Sequence, residues 1–471
     1  MTHKSRMWWT FAITSTALFM VTLDNLVVTT AIPVIRRDLH AGISGLEWTV
    51  NAYTLVFAVL LLTGAALGDR FGRKRLFVIG IAIFTAASAA AALAPTIGAL
   101  DAARAVQGLG GAIVMPLTLT LLSAAVPEER RGVFLGAWGG ISGLAVAFGP
   151  LVGGAVVDGM SWHWVFWLNV PVGLVLLPLA LARLGESRGP FGSVDLPGLA
   201  LGSAGLFGLV WGLVRGNSAG WASGEIVGAL AAGAIVLAGF VAWELRAEHP
   251  MLPMRFFRNR TFALANVASM LMSFGMFGAI FLLAQYFQTV QGYTPLGSGL
   301  RILPWTAMPM IIAPIAGALS DRIPPARIIG TGLALQAIGL GWIAAVSTPT
   351  TPYVELVLPF ALSGAGMGMF FAPIANVVLS AVRKVEEGQA SGANGAIREL
   401  GGVFGVAVLA SVFAHSGGYR NGTTFVNGMT PAVWIGAAVV ALGSIAAFSI
   451  RRVERGRRSA YDSALPSMLQ S

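Results

Sequence analysis

The sequence predicts an all-α membrane protein with fourteen transmembrane helices, and three observations lead to this class. Hydrophobic residues make up 56% of the 471 residues, charged residues only 11%, and the mean hydropathy is +0.77, whereas about a quarter of the residues in an average soluble domain are charged. Apolar runs of about 20 residues recur along the whole chain, and each can cross a hydrocarbon layer as a helix. Arginine and lysine are concentrated in alternate connections between these runs.

The apolar runs give the helices in order. The first run follows Lys4 and Arg6 and continues to Val34, which is too long for a signal-peptide core, so we predict an uncleaved first helix. The fourteen runs lie near 10–33, 46–68, 76–95, 98–122, 133–157, 163–184, 197–214, 224–243, 262–288, 298–319, 328–346, 354–380, 390–414 and 431–450.

The loop charges orient the helices. If the N-terminus is cytoplasmic, the inner segments hold 23 Lys and Arg residues and the outer segments hold five. This bias is the one that the positive-inside rule predicts for short loops. We therefore predict a multi-pass protein of the plasma (inner) membrane with both termini in the cytoplasm. An odd number of helices would destroy the asymmetry. The five outer cations are Arg36, Arg37, Arg215, Arg301 and Arg420.

A short repeated sequence motif divides the chain into two related halves. Asp69-Arg70 closes the second run and Asp321-Arg322 closes the tenth, each before a short basic turn. The two copies of the motif are eight helices apart, whereas two six-helix bundles joined directly would place them six apart. Two helices are therefore predicted to be inserted between two pseudo-symmetric six-helix bundles, an arrangement of parallel repeats that transporters use. The predicted units are residues 1–185 (N-terminal bundle), 186–245 (inserted helices), 246–261 (cytoplasmic linker), 262–452 (C-terminal bundle) and 453–471 (cytoplasmic tail).

Composition and motif searches argue against several other classes. The net charge of +10 comes from short clusters between apolar runs, so no nucleic-acid partner is predicted. The chain has no Cys and its five His are scattered, so neither a disulfide nor a metal site is expected. It has no Gly-x4-Gly-Lys-Ser/Thr, Gly-x-Ser-x-Gly or His-Glu-x-x-His sequence, so we predict no catalytic residues and no cofactor.

The turn after the second helix carries a specific residue order. Asp69 closes the helix, Gly72 permits a tight turn, and Arg70 and Arg73 follow as possible partners for the acid or for helix C-termini. One interpretation is a loop that only orients the chain. Orientation requires Lys and Arg, however, and requires neither Asp69 nor Gly72.

Arg104 lies within the fourth run, where a guanidinium costs at least about 2.5–3.5 kcal/mol on insertion scales. It should therefore have a partner. Counting about 1.5 Å per residue places Arg104 and Asp24 at similar depths, about 10 and 9 Å from the outer edge. We hypothesise that they face each other and that Asp24 exchanges a proton, because burial favours a neutral carboxyl and a nearby cation favours an ionised one. A permanent structural ion pair is the alternative.

Two further stretches leave alternatives open. Arg398 and Glu399 lie deep in the thirteenth run, either as a pair that orients the helix or as part of proton or substrate binding. The ninth and twelfth runs are rich in Met and aromatic residues, which face lipid, pack in the core, or line a cavity that accepts varied apolar shapes.

Several of these patterns resemble the major facilitator superfamily. Ala65-x-x-x-Asp69-Arg70-x-Gly72-Arg73-Lys74 is similar to its helix 2–3 signature, and Arg104-x-x-Gln107-Gly108-x-Gly110-x-Ala112 to its fourth-helix pattern. In the fifth run, Gly143 through Gly149-Pro150-Leu-Val-Gly153-Gly154 resembles the signature associated with exporters. From the residues alone, these glycines indicate only close helix packing.

The resemblance narrows to the fourteen-helix drug:proton antiporters through Leu23-Asp24-x-x-Val27-Val28, the Trp162–Gly173 stretch and the Tyr286–Pro304 stretch. It implies a conformational latch at Asp69, Arg70, Gly72 and Arg73, repeated at Asp321 and Arg322. The depths of Asp24, Arg104 and Glu399 in the membrane make these three residues the candidates for proton coupling. The resemblance also implies a central substrate cavity. The candidate cavity residues are Asn25, Gln107, Met115, Gln285, Phe370 and Asn376.

The resemblance thus implies a secondary active transporter, not an enzyme. We expect a monomer in the lipid bilayer that exports small, largely apolar drugs or antibiotics in exchange for protons, driven by the proton motive force and conferring resistance. A proton-coupled importer, or an exporter of an endogenous metabolite with the same fold, is the alternative.

Overall fold

In the computed structural model, residues 3–188, 195–248, 250–320, 322–383 and 386–450 are described. They form fifteen α-helices, and these ranges contain no β-strand. The helices are α1 (His3–Asp38), α2 (Ile43–Phe71), α3 (Arg73–Ala92), α4 (Ile97–Ala125), α5 (Glu128–Gly159), α6 (His163–Trp167), α7 (Asn169–Arg183), α8 (Leu196–Ala219), α9 (Gly224–Glu244), α10 (Arg260–Gln285), α11 (Pro295–Leu319), α12 (Pro325–Val346), α13 (Tyr353–Ser380), α14 (Glu387–Ser416) and α15 (Gly422–Phe448). A 3₁₀ turn, Met254–Arg258, precedes α10, and a π turn, Tyr286–Val290, follows it.

Thirteen of the fourteen predicted apolar runs each coincide largely with one α-helix, and the sixth run, 163–184, is divided between α6 and α7. Among the described residues, thirteen spans are long and apolar enough to cross a membrane, with α6 and α7 together forming one of them. The fifth run lies in α5, which is 32 residues long. The predicted all-α membrane fold is confirmed. The last 19 residues, the predicted cytoplasmic tail, lie outside the described residues.

The helices extend beyond the apolar runs that predict them. Helix α1 continues to Asp38, so Arg36 and Arg37 lie in its last turn and not in the outer connection where they were predicted. A helix C-terminus favours cations because its dipole presents partial negative charge there. Arg215 and Arg301 likewise lie within α8 and α11.

The helices pack as two groups joined along two seams. In the N-terminal half α4 packs against α2 and α3, and α1 against α5; in the C-terminal half α10 packs against α14 and α15, and α12 against α13 and α15. The halves meet where α2 packs on α14 and where α5 packs on α11. Of the inserted pair α8–α9, α8 packs against both α2 and α14. Helix α8 of the inserted pair therefore covers one seam.

The two halves are closed against each other at one end. We call this the outer end; it holds the connection between α1 and α2, which the loop charges predict to be outside. One apolar cluster there contains Ile32 and Leu46 of the first half together with Phe281 and Phe287 of the second. The amide of Gln288 donates to the Thr30 carbonyl across the boundary (2.9 Å). The outer ends of the two halves are thus packed together.

Candidate functional site

Asp24 of α1 and Arg104 of α4 are in direct contact inside the N-terminal half. The distance from Arg104 Nη1 to Asp24 Oδ2 is 2.5 Å, and both side chains are 0% exposed. Two opposite charges that are withdrawn from solvent in this way persist only when hydrogen bonds satisfy their remaining polar atoms. The surroundings of the pair therefore decide what it can do.

A cage of neutral side chains completes the carboxylate's hydrogen bonds. Asp24 Oδ1 accepts from the Gln107 amide (2.9 Å) and from the Asn169 amide (2.7 Å). Both amides also donate to Ser88 Oγ, at 3.2 and 3.0 Å. Ser88 in turn donates to the Phe166 carbonyl at 2.8 Å. Side chains of α1, α3, α4 and α7 thus meet at one carboxylate.

The guanidinium of Arg104 is held on its other sides by α2 and by its own helix. Its Nε donates to the Thr49 carbonyl (3.3 Å), and its Nη1 also donates to Gln107 Oε1 (2.7 Å). The Tyr53 ring lies beneath it, with 4.3 Å from the guanidinium carbon to the ring centre, where the negative ring face attracts a cation. Arg104 Nη2 has no hydrogen-bond partner among the described residues.

This arrangement suits an ionised Asp24. The three groups that contact the carboxylate, from Arg104, Gln107 and Asn169, are all donors in the observed geometry. A protonated carboxyl carries a hydrogen that needs an acceptor, and none of these groups offers one unless the Gln107 or the Asn169 amide turns over. Proton binding and the observed cage therefore exclude each other, and protonation requires the helices or side chains to rearrange.

The local sequence explains how the cage assembles. Arg104 and Gln107 are three residues apart, so they share one face of α4. Gly108 lets α2 approach closely, because a Cβ there would lie 2.4 Å from the Tyr53 carbonyl oxygen. Asn169 begins α7 after the short break that separates it from α6.

Sequence reasoning missed four members of this site. Ser88, Thr49 and Tyr53 are neutral residues whose spacing carries no motif, and Asn169 lies in the Trp162–Gly173 stretch, which by itself assigns it no role in the site. Asn169 gave the only signal, as an amide within an apolar run just before Pro171.

Glu399 of α14 faces the same region from the C-terminal half. Its Oε1 lies 3.4 Å from Arg398 Nη2, a long contact, and its Oε2 has no partner among the described residues although the side chain is buried. Tyr53 lies within electrostatic range of Asp24, Arg104 and Glu399. Glu399 is therefore a buried carboxyl near the cage but outside its hydrogen-bond network.

The turn between α2 and α3 is fixed by a residue that the motif does not contain. Asp69 pairs with Arg73 at 2.8 Å, and Gly72 adopts φ +110°, a left-handed conformation that favours glycine. The carboxylate of Glu186, beyond α7, accepts the backbone N–H groups of Lys74 (3.0 Å) and Arg75 (3.2 Å). Glu186 thus satisfies first-turn donors of α3.

The other predicted latch residues have fewer described contacts. The Arg70 guanidinium lies over the ring of Phe71 at 5.2 Å, and Arg322 is exposed. Asp321 lies outside the described residues. The described contacts of Asp69, Gly72 and Arg73 are with the N-terminal bundle and with the segment that directly follows α7, so their predicted role between the bundles stays a prediction.

The Gly-Pro segment of α5 lies between α1 and α11. On one side, a Cβ at Gly153 would lie 2.6 Å from the Val27 carbonyl oxygen of α1. On the other side, a Cβ at Gly154 would lie 2.4 Å from the Pro295 carbonyl oxygen of α11. A Cβ at Gly149 would lie 2.6 Å from the Leu26 side chain of α1. The carbonyl of Pro150 lies against α11. Gly143 also belongs to α5. The segment is therefore the close-packed element of the second seam.

Comparison with known families identifies the chain. The model of the Major Facilitator Superfamily matches residues 14–406 and, in a second match, 266–467. The chain belongs to the major facilitator superfamily. It is accordingly a multi-pass membrane protein of a transporter family, and the family predicted from the sequence is confirmed.

Several curated relatives within the superfamily carry names of export or resistance proteins. The tetracenomycin C resistance and export protein of Streptomyces glaucescens is 34% identical over 413 residues, covering 87% of this chain and 77% of that protein. The multidrug resistance protein Stp of Mycobacterium tuberculosis is 36% identical over 407 residues (86% and 75%). The methylenomycin A resistance protein of Bacillus subtilis is 31% identical over 422 residues (89% and 91%).

A solved structure supports the same fold. The crystal structure of a D-xylose-proton symporter is similar with a TM-score of 0.66 and 14% sequence identity, covering 95% of this chain and 99% of that one. At this identity the similarity concerns the fold alone.

The residues predicted to line a central substrate cavity differ from one another in burial. Gln107 belongs to the Asp24 cage, and Gln285 is fully buried and accepts a hydrogen bond from Tyr419. Phe370 is fully buried, Asn25 and Met115 are half-buried, and Asn376 is exposed. In this conformation Gln107, Gln285 and Phe370 are packed within the protein, and their role in a substrate cavity stays a prediction. Side-chain packing around each residue decided its burial, and sequence position does not report it.

Proposed function

We propose that the chain is a secondary active antiporter of the plasma membrane that exports small, largely apolar drugs or antibiotics in exchange for protons. The names of its relatives support drug export, since proteins that share about a third of its residues are named for resistance to, or export of, several different antibiotics. The single structural observation that supports proton coupling is the Asp24–Arg104 pair, buried inside a membrane-spanning bundle.

The proposed cycle assigns Asp24 the proton. In the observed arrangement the outer ends are closed, and the cage of donors holds Asp24 ionised beside Arg104. A proton that reaches Asp24 removes the counter-ion of Arg104 and breaks the cage, because the new hydroxyl lacks an acceptor. The protonated carboxyl is therefore compatible only with another packing of the helices, and in antiport the proton taken up from outside is released to the cytoplasm as the cage re-forms in the outer-closed arrangement. Substrate binding and proton binding to different conformations of one carrier produce exchange.

The free energy of the proton motive force is sufficient for drug resistance. One elementary charge that crosses 100 mV releases about 2.3 kcal/mol. Each unit of pH difference adds about 1.4 kcal/mol per proton. One coupled proton therefore supports a drug gradient of roughly ten- to several-hundred-fold, depending on the charge of the drug. No cofactor is required, and the proposed partners are the drug, protons and the lipid bilayer, with a monomer as the working unit.

The test uses everted membrane vesicles that hold a preset pH gradient. Addition of a candidate drug, with tetracenomycin C and methylenomycin A as the first two probes, is expected to collapse the gradient in vesicles containing the wild-type chain. Vesicles with the Asp24→Asn chain are expected to retain it. A different outcome is that the pH gradient stays intact with every drug and that cells lacking other pumps gain no resistance from the chain. This outcome would favour transport of an endogenous metabolite instead.

A further inference from the structure

A stripe of buried polar side chains runs along α2 where it faces the C-terminal half. Glu47, Asn51 and Thr54 are spaced i, i+4 and i+7, so they share one face of the helix. Glu47 is 2% exposed and Asn51 is 0% exposed. Neighbouring positions on α2 contact α14, as in the cluster of Leu55 and Val59 with Val403. We call these three residues the α2 polar stripe.

The stripe contains polar atoms that the protein does not satisfy. Glu47 Oε2 and both amide atoms of Asn51 have no hydrogen-bond partner among the described residues. Buried polar atoms are almost always paired, and each exception needs an explanation. A chain of bound water that reaches these atoms would supply the missing partners at a polar site.

The two ends of the stripe lie beside ionisable groups. At the outer end, Tyr419 lies within electrostatic range of Glu47 and Arg36, and the Arg36 guanidinium stacks on its ring at 3.6 Å. Seven residues of α2, about 10 Å, separate Glu47 from Thr54. Farther inward on the facing helix, Glu399 has its own unpartnered Oε2, and its charge reaches Tyr53 beside the Arg104 guanidinium. The stripe therefore lies between the outer surface and Glu399, a buried carboxyl near the cage.

The inserted helix α8 separates this seam from lipid. Val210 and Val214 of α8 pack with Leu55 of α2 and Val403 of α14 in one apolar cluster. Near the outer end, Asn217 of α8 donates to the Ser411 carbonyl of α14 at 2.6 Å. Hydrocarbon cannot satisfy polar groups, and α8 keeps it away from the seam.

We propose that the α2 polar stripe is the outer entry route for protons, with Glu47 as its first proton-binding group. Glu47 takes a proton from the outer medium, water held by Asn51 and Thr54 passes a proton inward, and Glu399 accepts it, which returns Glu47 to its ionised form. The charged or titratable groups around the route are Arg36 of α1, Asp101 of α4, Tyr419 before α15, and Arg398 and Glu399 of α14. The inference rests on the proposed antiport.

The first test compares two fluxes in proteoliposomes, with Glu47→Gln and Asn51→Leu as the variants and Glu225→Gln as the control. Glu225 is an exposed outer carboxylate paired with Arg215 at 2.9 Å. Drug-driven proton movement from the outer face is expected to slow about tenfold or more in both variants, since positioned proton-transfer groups contribute at least that much. Exchange of labelled for unlabelled drug, which moves no proton, is expected to stay at the wild-type rate.

The outcomes separate the inference from the proposed function. Proton movement at the wild-type rate in Glu47→Gln would overturn the stripe as a route. A loss of drug exchange as large as the loss of proton movement would also overturn it, because it would indicate a structural role for Glu47. Absence of drug-driven proton movement in the wild-type chain would overturn antiport itself.

A second test uses the absence of cysteine from the chain. Asn51→Cys supplies a single thiol, and Ala52→Cys places a control thiol at nearly the same depth on another face of α2. A small, membrane-impermeant thiol reagent added from the outer side is expected to label Asn51→Cys faster than Ala52→Cys. Equal labelling rates, or no labelling of Asn51→Cys, would contradict a hydrated route.

Discussion

The Asp24 carboxylate and the Arg104 guanidinium neutralise each other where neither has access to water. Removing one partner of such a pair typically costs about 3–5 kcal/mol, because the remaining charge is buried alone. We therefore expect Asp24→Asn to lower the melting temperature in detergent and to abolish drug-driven proton movement. The double variant Asp24→Asn/Arg104→Gln is expected to regain much of the stability and none of the proton movement. Full coupling in Asp24→Asn would contradict the assignment.

Gly72 allows a second prediction at the residue scale. Its φ of +110° is unfavourable for any side chain, and an added Cβ would lie 2.8 Å from the Glu186 carboxyl carbon. A left-handed backbone costs a non-glycine residue roughly 1–2 kcal/mol, so Gly72→Ala is expected to lower the melting temperature. The matched control is Gly239→Ala on α9, where a Cβ meets nothing within 4 Å. An equal effect of both substitutions would indicate that the turn is not strained by a side chain.

At the scale of helices, α5 and α11 form a seam whose contacts are backbone to backbone. A Cβ at Gly154 would lie 2.4 Å from the Pro295 carbonyl oxygen, and backbone cannot move aside as a flexible side chain can. Gly154→Ala is therefore expected to separate the outer ends of the two halves and to favour the outward-open arrangement.

Spin labels provide the measurement for this seam. Labels at Arg37→Cys and Thr350→Cys, exposed positions on the outer ends of opposite halves, report their separation in the Cys-free chain. Gly154→Ala is expected to lengthen this distance, while Gly228→Ala, a control on α9 with open space around it, leaves it unchanged. An unchanged distance in Gly154→Ala would show that the seam tolerates a methyl group.

At the scale of the whole molecule, the linker is tied to the C-terminal half by one carboxylate. Arg255 in the 3₁₀ turn contacts Glu386 at 2.5 Å, and Arg383 contacts it at 2.6 Å. The Arg383 guanidinium, through its hydrogen bond, lowers the pKa of Glu386 below its usual range. A lowered pKa in the folded state stabilises the fold above the unfolded pKa, and this contribution is lost as the pH falls through the folded value.

The expected outcome is a linker that becomes accessible in acid. Hydrogen exchange of the Met254–Arg258 turn should rise as the pH falls below the ordinary glutamate range, after correction for intrinsic exchange rates. In Glu386→Gln the exchange should already be high at neutral pH and should change little on acidification. Glu248→Gln is the control, being a linker carboxylate for which no contact with Arg255 is described. A pH response that persists in Glu386→Gln would exclude Glu386 as its cause.

The orientation of the whole molecule is predicted by loop charge and has a direct test. A fluorescent protein that matures only in the cytoplasm, fused after Ser471, is expected to fluoresce. The same protein fused after Arg420, on a chain truncated there, is expected to stay dark, because 23 of the Lys and Arg residues lie on the opposite side. Reversed signals would invert the assignment of outer and inner ends.

The sequence by itself determined the membrane-spanning helices and the need for a partner of Arg104. These are properties of the chain in one dimension: a membrane span is a run of apolar residues, and depth follows from counting residues along a helix. Depth counting alone predicts that Asp24 and Arg104 lie at one level, and the structure has them in contact.

Only the tertiary structure decided which groups surround that pair and which polar residues are left without partners. Ser88 and Asn169 are neutral, and whether they face lipid, a neighbouring helix or a cavity depends on how helices rotate and pack. The same packing placed Gln107 inside the cage. Glu47 and Asn51 did carry a signal, a polar i, i+4 pair in an apolar run, but only the seam with α14 shows that their polar atoms are enclosed. The depth of a residue in the membrane follows from its position along a helix. Its neighbours on other helices depend on contacts between segments that are far apart in the chain.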